Sequence, residues 1–131
     1  MRSFLLKEKK PICSWGSLPQ GTLFYGKVPE GYQLAVNPSD NYIVVDIDRH
    51  GYKNGFDNIP LDILDELEET FNYPTKNNGM HYWLEYTGNK PLINKPSGLS
   101  IDLRTNKGYA VWYSEENIND SLIKMKKTSH N

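Results

Sequence analysis

The sequence predicts an α+β domain with a mainly antiparallel sheet and helices packed on one face, and three observations carry that expectation. Short runs rich in β-branched and aromatic residues recur between turns of Gly, Pro and Asn. One amphipathic helical stretch interrupts them near the middle. The resulting order, strands, then a helix, then more strands, belongs to α+β folds. A chain of 131 residues is long enough to bury a real core and suits one unit, residues 1–131.

The elements follow in order. Residues 11–31 interleave Pro11, Gly16, Pro19, Gly21, Gly26 and Pro29 with Trp15, Phe24 and Tyr25, a pattern of turns and short strands wrapped around a core. Residues 32–36 read as a strand and residues 37–41 as a turn. Residues 42–48 read as the next strand, able to pair with the first as an antiparallel hairpin. Residues 49–58 form a polar loop. Pro60 then opens a helix with Leu61, Leu64, Leu67 and Phe71 on one face and Asp62, Asp65, Glu66, Glu68 and Glu69 on the solvent side. Tyr73-Pro74 ends the helix, residues 75–79 turn, and the aromatic run 80–86 is a strand. A polar connection covers 88–98. Two short strands, 99–103 and 108–112, flank the turn 104–107, and the last dozen residues make at best a short basic helix.

Fifteen Lys and Arg against sixteen Asp and Glu leave a formal charge of −1, so no overall positive field attracts a polyanion or a membrane surface. Polyanion binding has to be local. The basic clusters are Lys7, Lys9 and Lys10 near one end and Lys124, Lys126 and Lys127 near the other, either as solvated ends or as phosphate contacts. A single cysteine, Cys13, excludes an intrachain disulfide and fits a reducing compartment. The apolar patch after Arg2 stops at Lys7, too short for a signal peptide, and no run reaches membrane-spanning length. The expectation is a cytoplasmic protein without a membrane partner.

Residues 42–48 carry the strongest chemical signal. Alternate residues of a strand share a face, so Asp46 and Asp48 point the same way, and two close carboxylates repel unless a cation separates them. Hard ions such as Mg²⁺ and Mn²⁺ take oxygen ligands, whereas a strand running out into an acidic turn would give the same D-x-D. Asp102 stands between Ile101 and Leu103, where a carboxylate needs a partner or a metal. If its strand lies beside that of Asp46, three carboxylates converge, as phosphoryl transfer requires; the alternative is a surface pair with Arg104. His81 follows a glycine turn and can contact a triphosphate oxygen or act as general acid or base, or serve as a structural histidine. Lys76, Arg104 and Lys107 can supply the positive charge a triphosphate needs, while His50 and His130 have no comparable setting.

Taken in order, these pieces resemble the primase-polymerase family of the archaeo-eukaryotic primase superfamily, common in plasmid, phage and mobile-element replication proteins. The resembling segments are Val44-Val45-Asp46-Ile47-Asp48, Gly79-Met80-His81-Tyr82-Trp83, and Ile101-Asp102-Leu103-Arg104 followed by Lys107-Gly108-Tyr109-Ala110-Val111. Lys10-Pro11 and residues 29–36 look like the family's opening, so the resemblance covers about residues 9–113, with 114–131 as a basic C-terminal tail. It implies an RRM-like catalytic core in which Asp46, Asp48 and Asp102 hold Mg²⁺ or Mn²⁺ and His81 contacts the phosphates of an incoming nucleoside triphosphate. The implied reaction is nucleotidyl transfer on a single-stranded DNA template, in the host cytoplasm if phage-encoded, with a separate helicase or replication protein as a possible partner. The Pro-rich stretch many members carry after the Gly-Tyr strand is replaced by Trp112-Tyr113-Ser114-Glu115-Glu116, and no helical primer-binding module, zinc-binding cysteines or helicase domain follows. Two rival readings share the same residues: a non-catalytic nucleotide- or nucleic-acid-binding module, and a metal-dependent nuclease.

Overall fold

A computed structural model of the chain describes residues 1–50, 53–88, 95–96 and 101–128. Its strands are β1 (Arg2–Lys7), β2 (Lys10–Pro11), β3 (Tyr32–Asn37), β4 (Tyr42–Ile47), β5 (Arg49–His50), β6 (Lys53–Asn54), β7 (Asn72–Pro74), β8 (Met80–Tyr86), β9 (Lys95–Pro96), β10 (Ile101–Arg104), β11 (Ala110–Val111) and β12 (Lys126–Thr128). The α-helices are α1 (Leu61–Glu68) and α2 (Ile118–Ser121). The fold is α+β, and among the described residues the pairings are antiparallel except for β12 beside β8.

Among the described residues two larger sheets form, in the orders β11-β3-β1-β2 and β12-β8-β4-β10-β9, with β7 also paired to β8, and β5 and β6 make a separate two-stranded ribbon. The apolar stretch after Arg2 becomes β1, a buried strand with Phe4, Leu5 and Leu6 in the core. Glu8 and Lys9 both adopt left-handed backbone, φ 51° and 68°, and close β1 onto β2 as a two-residue hairpin. Paired positive φ values suit the twist of a hairpin, though neither residue is a glycine. Residues 12–31 wrap around the start of β1 without forming a strand. Ser3 N–H donates to Thr22 O at 2.9 Å, Gly21 N–H to Met1 O at 3.0 Å and Phe24 N–H to Ser3 Oγ at 2.7 Å.

The expected hairpin between residues 32–36 and 42–48 does not form. β3 pairs with β1 and β11, whereas β4 pairs with β8 and β10, because residues 38–41 carry the chain from one sheet to the other. Val36 and Val44 then meet in the same core from opposite sides, together with Trp83 and Trp112. Burial of both apolar faces outweighs the short local pairing. The turn 104–107 makes a second crossing, from β10 to β11. Asn37 links the two crossings: its Nδ2 donates to Asn106 O at 2.9 Å and to Gly108 O at 2.6 Å.

Along β4 the side chains alternate. Ile43, Val45 and Ile47 face a second core closed by Leu64 and Leu67 of α1, while Val44 faces the first sheet. The helix is shorter than the sequence pattern suggests: Leu61 is exposed, and Phe71 lies beyond the helix in the inter-sheet core. Tyr73 and Pro74 belong to β7, since the chain needs Tyr73 opposite His81 on β8. Asp62, Asp65, Glu66, Glu68 and Glu69 face solvent as expected.

Residues 114–128 are no free tail. Asn117 caps α2, accepting from Asn119 N–H at 2.9 Å; Ile118 and Met125 enter the inter-sheet core, and β12 lies parallel to β8. The expected connection 88–98 and the residues Leu99, Ser100 and His130 lie outside the described residues, apart from Gly88 and β9. Among the described residues no helix is long and apolar enough to cross a membrane.

Candidate metal and phosphate site

The register of the second sheet decides what meets Asp46. Asp46 stands opposite His81 of β8 on one side and opposite Asp102 of β10 on the other. Directly opposed residues share a face, so β4, β8 and β10 present Asp46, His81 and Asp102 side by side. Arg104, two residues after Asp102, takes the same face. Asp48 follows the end of β4. One carboxylate oxygen from each of Asp46, Asp48 and Asp102 lies within 4.8 Å of the others.

Asp46 is the centre of the cluster and is 7 % exposed. Its Oδ1 lies 3.4 Å from His81 Nε2, and its Oδ2 lies 3.7 Å from the Arg104 guanidinium, which is also 3.7 Å from Asp102 Oδ2. Oδ1 has no hydrogen-bond partner. Burial pushes the Asp46 carboxyl up, but His81, then Asp48 and Arg104, outweigh it and hold the group below the ordinary carboxylate value. The carboxylate is therefore charged at neutral pH and short of donors.

Gly79 makes the close approach of β8 to the aspartates feasible. A Cβ there would sit 2.5 Å from Ile47 O and 3.4 Å from Asp48 Cα, so only a glycine leaves room for the end of β4. The turn before it is closed by Thr75 N–H to Gly79 O at 2.9 Å, with Asn78 in left-handed backbone at φ 62°. The glycine serves the strand that carries the carboxylates.

Behind His81 stands a layer of aromatic rings. Its Nδ1 lies 3.2 Å from the hydroxyl of Tyr73, which also receives the Trp83 indole N–H at 3.0 Å and donates to Val111 O at 3.0 Å. Tyr73 packs edge-on against Phe71 and Trp112. Burial, with the nearby Asp46 charge adding to it, raises the Tyr73 phenol far above its usual range and keeps it neutral.

The cluster opens on a cleft of about 690 Å³ between the sheets, lined by Asp46, Asp48, His81, Lys76 and Arg104 and, from the first sheet, by Glu8, Lys9 and Gln33. That volume lies in the range of small-molecule sites. Of the residues singled out in the sequence, Asp46, Asp48, His81, Arg104 and Lys76 line the cleft, and Asp102 joins them through the carboxylate cluster. Lys107 sits in the turn after β10, outside the cleft lining, with its N–H on Thr105 Oγ1. Sequence reasoning missed Tyr73, Tyr113 and the cleft role of Lys9. Lys9 was visible as part of a basic cluster, whereas nothing in the pattern of Tyr73 tells its hydroxyl from that of any other tyrosine.

The donor set fits a hard divalent ion. All three acidic ligands offer oxygens within 4.8 Å of one another, and oxygen is the donor that hard ions such as Mg²⁺ take. The buried, hydrogen-bond-free Oδ1 of Asp46 gives such an ion an atom in need of a cation. Arg104 is the internal competitor, holding part of the charge that an ion would otherwise neutralise.

No protein-family model matches the chain, and neither a curated protein nor a solved structure gives a significant match.

Proposed function

We propose that the protein carries out metal-dependent nucleotidyl transfer in DNA replication, on a core of the primase-polymerase type with an RRM-like sheet. The observation that carries this reading is the register His81–Asp46–Asp102 across three neighbouring strands at the rim of a nucleotide-sized cleft. Mg²⁺ or Mn²⁺ held by Asp46, Asp48 and Asp102 would neutralise phosphate charge and lower the pKa of an attacking hydroxyl.

The chain's own residues account for the rest. Lys76 on the turn before β8 and Lys9 on the hairpin tip of the first sheet bring positive charge to the same cleft, suited to a triphosphate. His81, held by Tyr73, contributes a fixed imidazole beside the carboxylates. The chemistry is attack by a 3′-hydroxyl on the α-phosphate of a nucleoside triphosphate with release of pyrophosphate, so catalysis consists of positioning and electrostatic stabilisation. Single-stranded DNA is the template in this reading. With a net charge of −1, a helicase or another replication protein is the partner expected to supply much of the DNA grip.

One observation favours a second reading. Arg104 lies at 3.7 Å from both Asp46 and Asp102, as an internal cation would in a site that binds nucleotide or nucleic acid without turnover. Incubation with Mn²⁺ or Mg²⁺, labelled nucleoside triphosphates and single-stranded DNA, with and without a primer, separates the readings. Product ladders that vanish in Asp46→Ala and Asp102→Ala support transfer. Binding without products supports the module, and shortened DNA supports a nuclease.

A further inference from the structure

The hydrogen positions around Tyr73 follow by elimination. Val111 O, 3.0 Å from the hydroxyl, can only accept, and Trp83 Nε1, also at 3.0 Å, can only donate. The single phenolic proton therefore goes to Val111. His81 Nδ1, at 3.2 Å, must then bring its own proton to the Tyr73 oxygen. The proton on Nδ1 leaves Nε2 as the ring nitrogen that a cation can take, and Nε2 lies 3.4 Å from Asp46 Oδ1.

A divalent cation between the two atoms would replace a proton on Nε2 and give Asp46 Oδ1 a partner. Asp46 Oδ1 is buried without a hydrogen bond, and the His81 side chain beside it is 7 % exposed. The spacing is also informative. Two donors on one ion, with bonds of about 2.0–2.2 Å and angles between octahedral and tetrahedral, lie about 3.0–3.4 Å apart. Arg104 engages the other oxygen, Oδ2, and leaves the His81-facing side to that ion.

We propose that Tyr73 is a positioning residue that fixes His81 in its Nδ1–H form, so that His81 Nε2 and Asp46 Oδ1 together seat a divalent cation. His81 is then a metal ligand as well as a neighbour of the phosphates. A nitrogen in the donor set moves preference from Mg²⁺ towards Mn²⁺, Co²⁺ or Zn²⁺. This rests on the metal-site part of the proposed function and is independent of nucleotidyl transfer.

The test is long-range ¹H–¹⁵N correlation of the full chain labelled at histidine, with the His81 signals assigned by their loss in His81→Gln, before and after addition of Zn²⁺ as a diamagnetic probe. The expected result is a proton on Nδ1 in both states and a metal-bound shift of Nε2 with zinc, absent in Asp46→Asn. In Tyr73→Phe, with its fold checked by circular dichroism, the ring proton moves to Nε2 in the metal-free protein and zinc affinity falls about tenfold or more, the usual effect of losing the hydrogen-bond partner of a ligating histidine. An Nδ1 without a proton in the wild type, an Nε2 that keeps its proton with zinc bound, or wild-type zinc affinity in Tyr73→Phe overturns the proposal. The wild-type spectra decide it even if Tyr73→Phe fails to fold. A zinc-shifted Nε2 without nucleotide incorporation removes the transfer reading and leaves this one standing.

Discussion

Replacing Gly79 by alanine should damage both the stability and the metal site, and its size can be worked from the packing. The new Cβ lies 2.5 Å from Ile47 O and 2.9 Å from Thr75 Oγ1. The threonine can rotate away. The Ile47 carbonyl cannot, because it is backbone at the end of β4, so β4 and β8 must separate by roughly 0.7–0.9 Å to reach normal contact. Overpacking of this kind costs about 2–3 kcal/mol, and the entropy that alanine removes from the unfolded chain returns about 0.4–1 kcal/mol. The net loss is about 1–2.5 kcal/mol, a fall in Tm of roughly 3–15 °C for a domain of this size. Since the displaced strand end carries Asp46 and Asp48, Mn²⁺ affinity should fall with it. Thermal unfolding followed by circular dichroism, with calorimetric Mn²⁺ titration, measures both. An alanine variant with wild-type Tm and wild-type Mn²⁺ affinity would refute the argument that β8 needs a glycine against the aspartate strand.

Arg104→Gln removes the internal cation from Asp46 and Asp102. Mn²⁺ affinity of the metal-only protein should rise about twofold to fivefold, as suits a partly exposed pair, while affinity for a nucleoside triphosphate falls; calorimetric titration with each ligand checks the opposite signs. The lowered pKa of Asp46 has a definite sign. Its contribution to stability is fully present above the unfolded value of 3.8 and is lost as pH falls through the folded value below it. Chemical denaturation midpoints between neutral and strongly acid pH should therefore fall less in Asp46→Asn than in the wild type. Tyr73 works in the opposite direction. Its raised pKa gives stability that is present below the unfolded value of 10.0 and is lost as pH rises above it, so Tyr73→Phe should show a shallower alkaline decline in the same assay.

The one-dimensional pattern already held most of the site. A β-branched run ending in Asp46-Ile47-Asp48 read as a strand with two carboxylates on one side, with an acidic turn as the rival, and Asp102 between apolar neighbours read as a carboxylate in need of a partner. The helix face, the turn before β8 and the α+β class were legible for the same reason: local periodicity and turn chemistry report local structure. Boundaries were read less well. Phe71 continued the helical spacing but left the helix, because the inter-sheet core needed an aromatic ring beside Trp112.

Pairing was beyond the reach of any local pattern. Residues 32–36 and 42–48 look like a hairpin because a short turn joins them, yet each strand found its partners across a crossing between two sheets, where both could bury an apolar face. By its residue types and spacings, the sequence marked three carboxylates, a histidine and an arginine on or beside strand-like runs as candidates for one site. Only the tertiary structure decided that β8, β4 and β10 are neighbours in that register, that Gly79 packs against Ile47, and that Tyr73 stands behind His81. Those outcomes rest on long-range burial and on hydrogen bonds between residues distant in the chain, which no local spacing encodes.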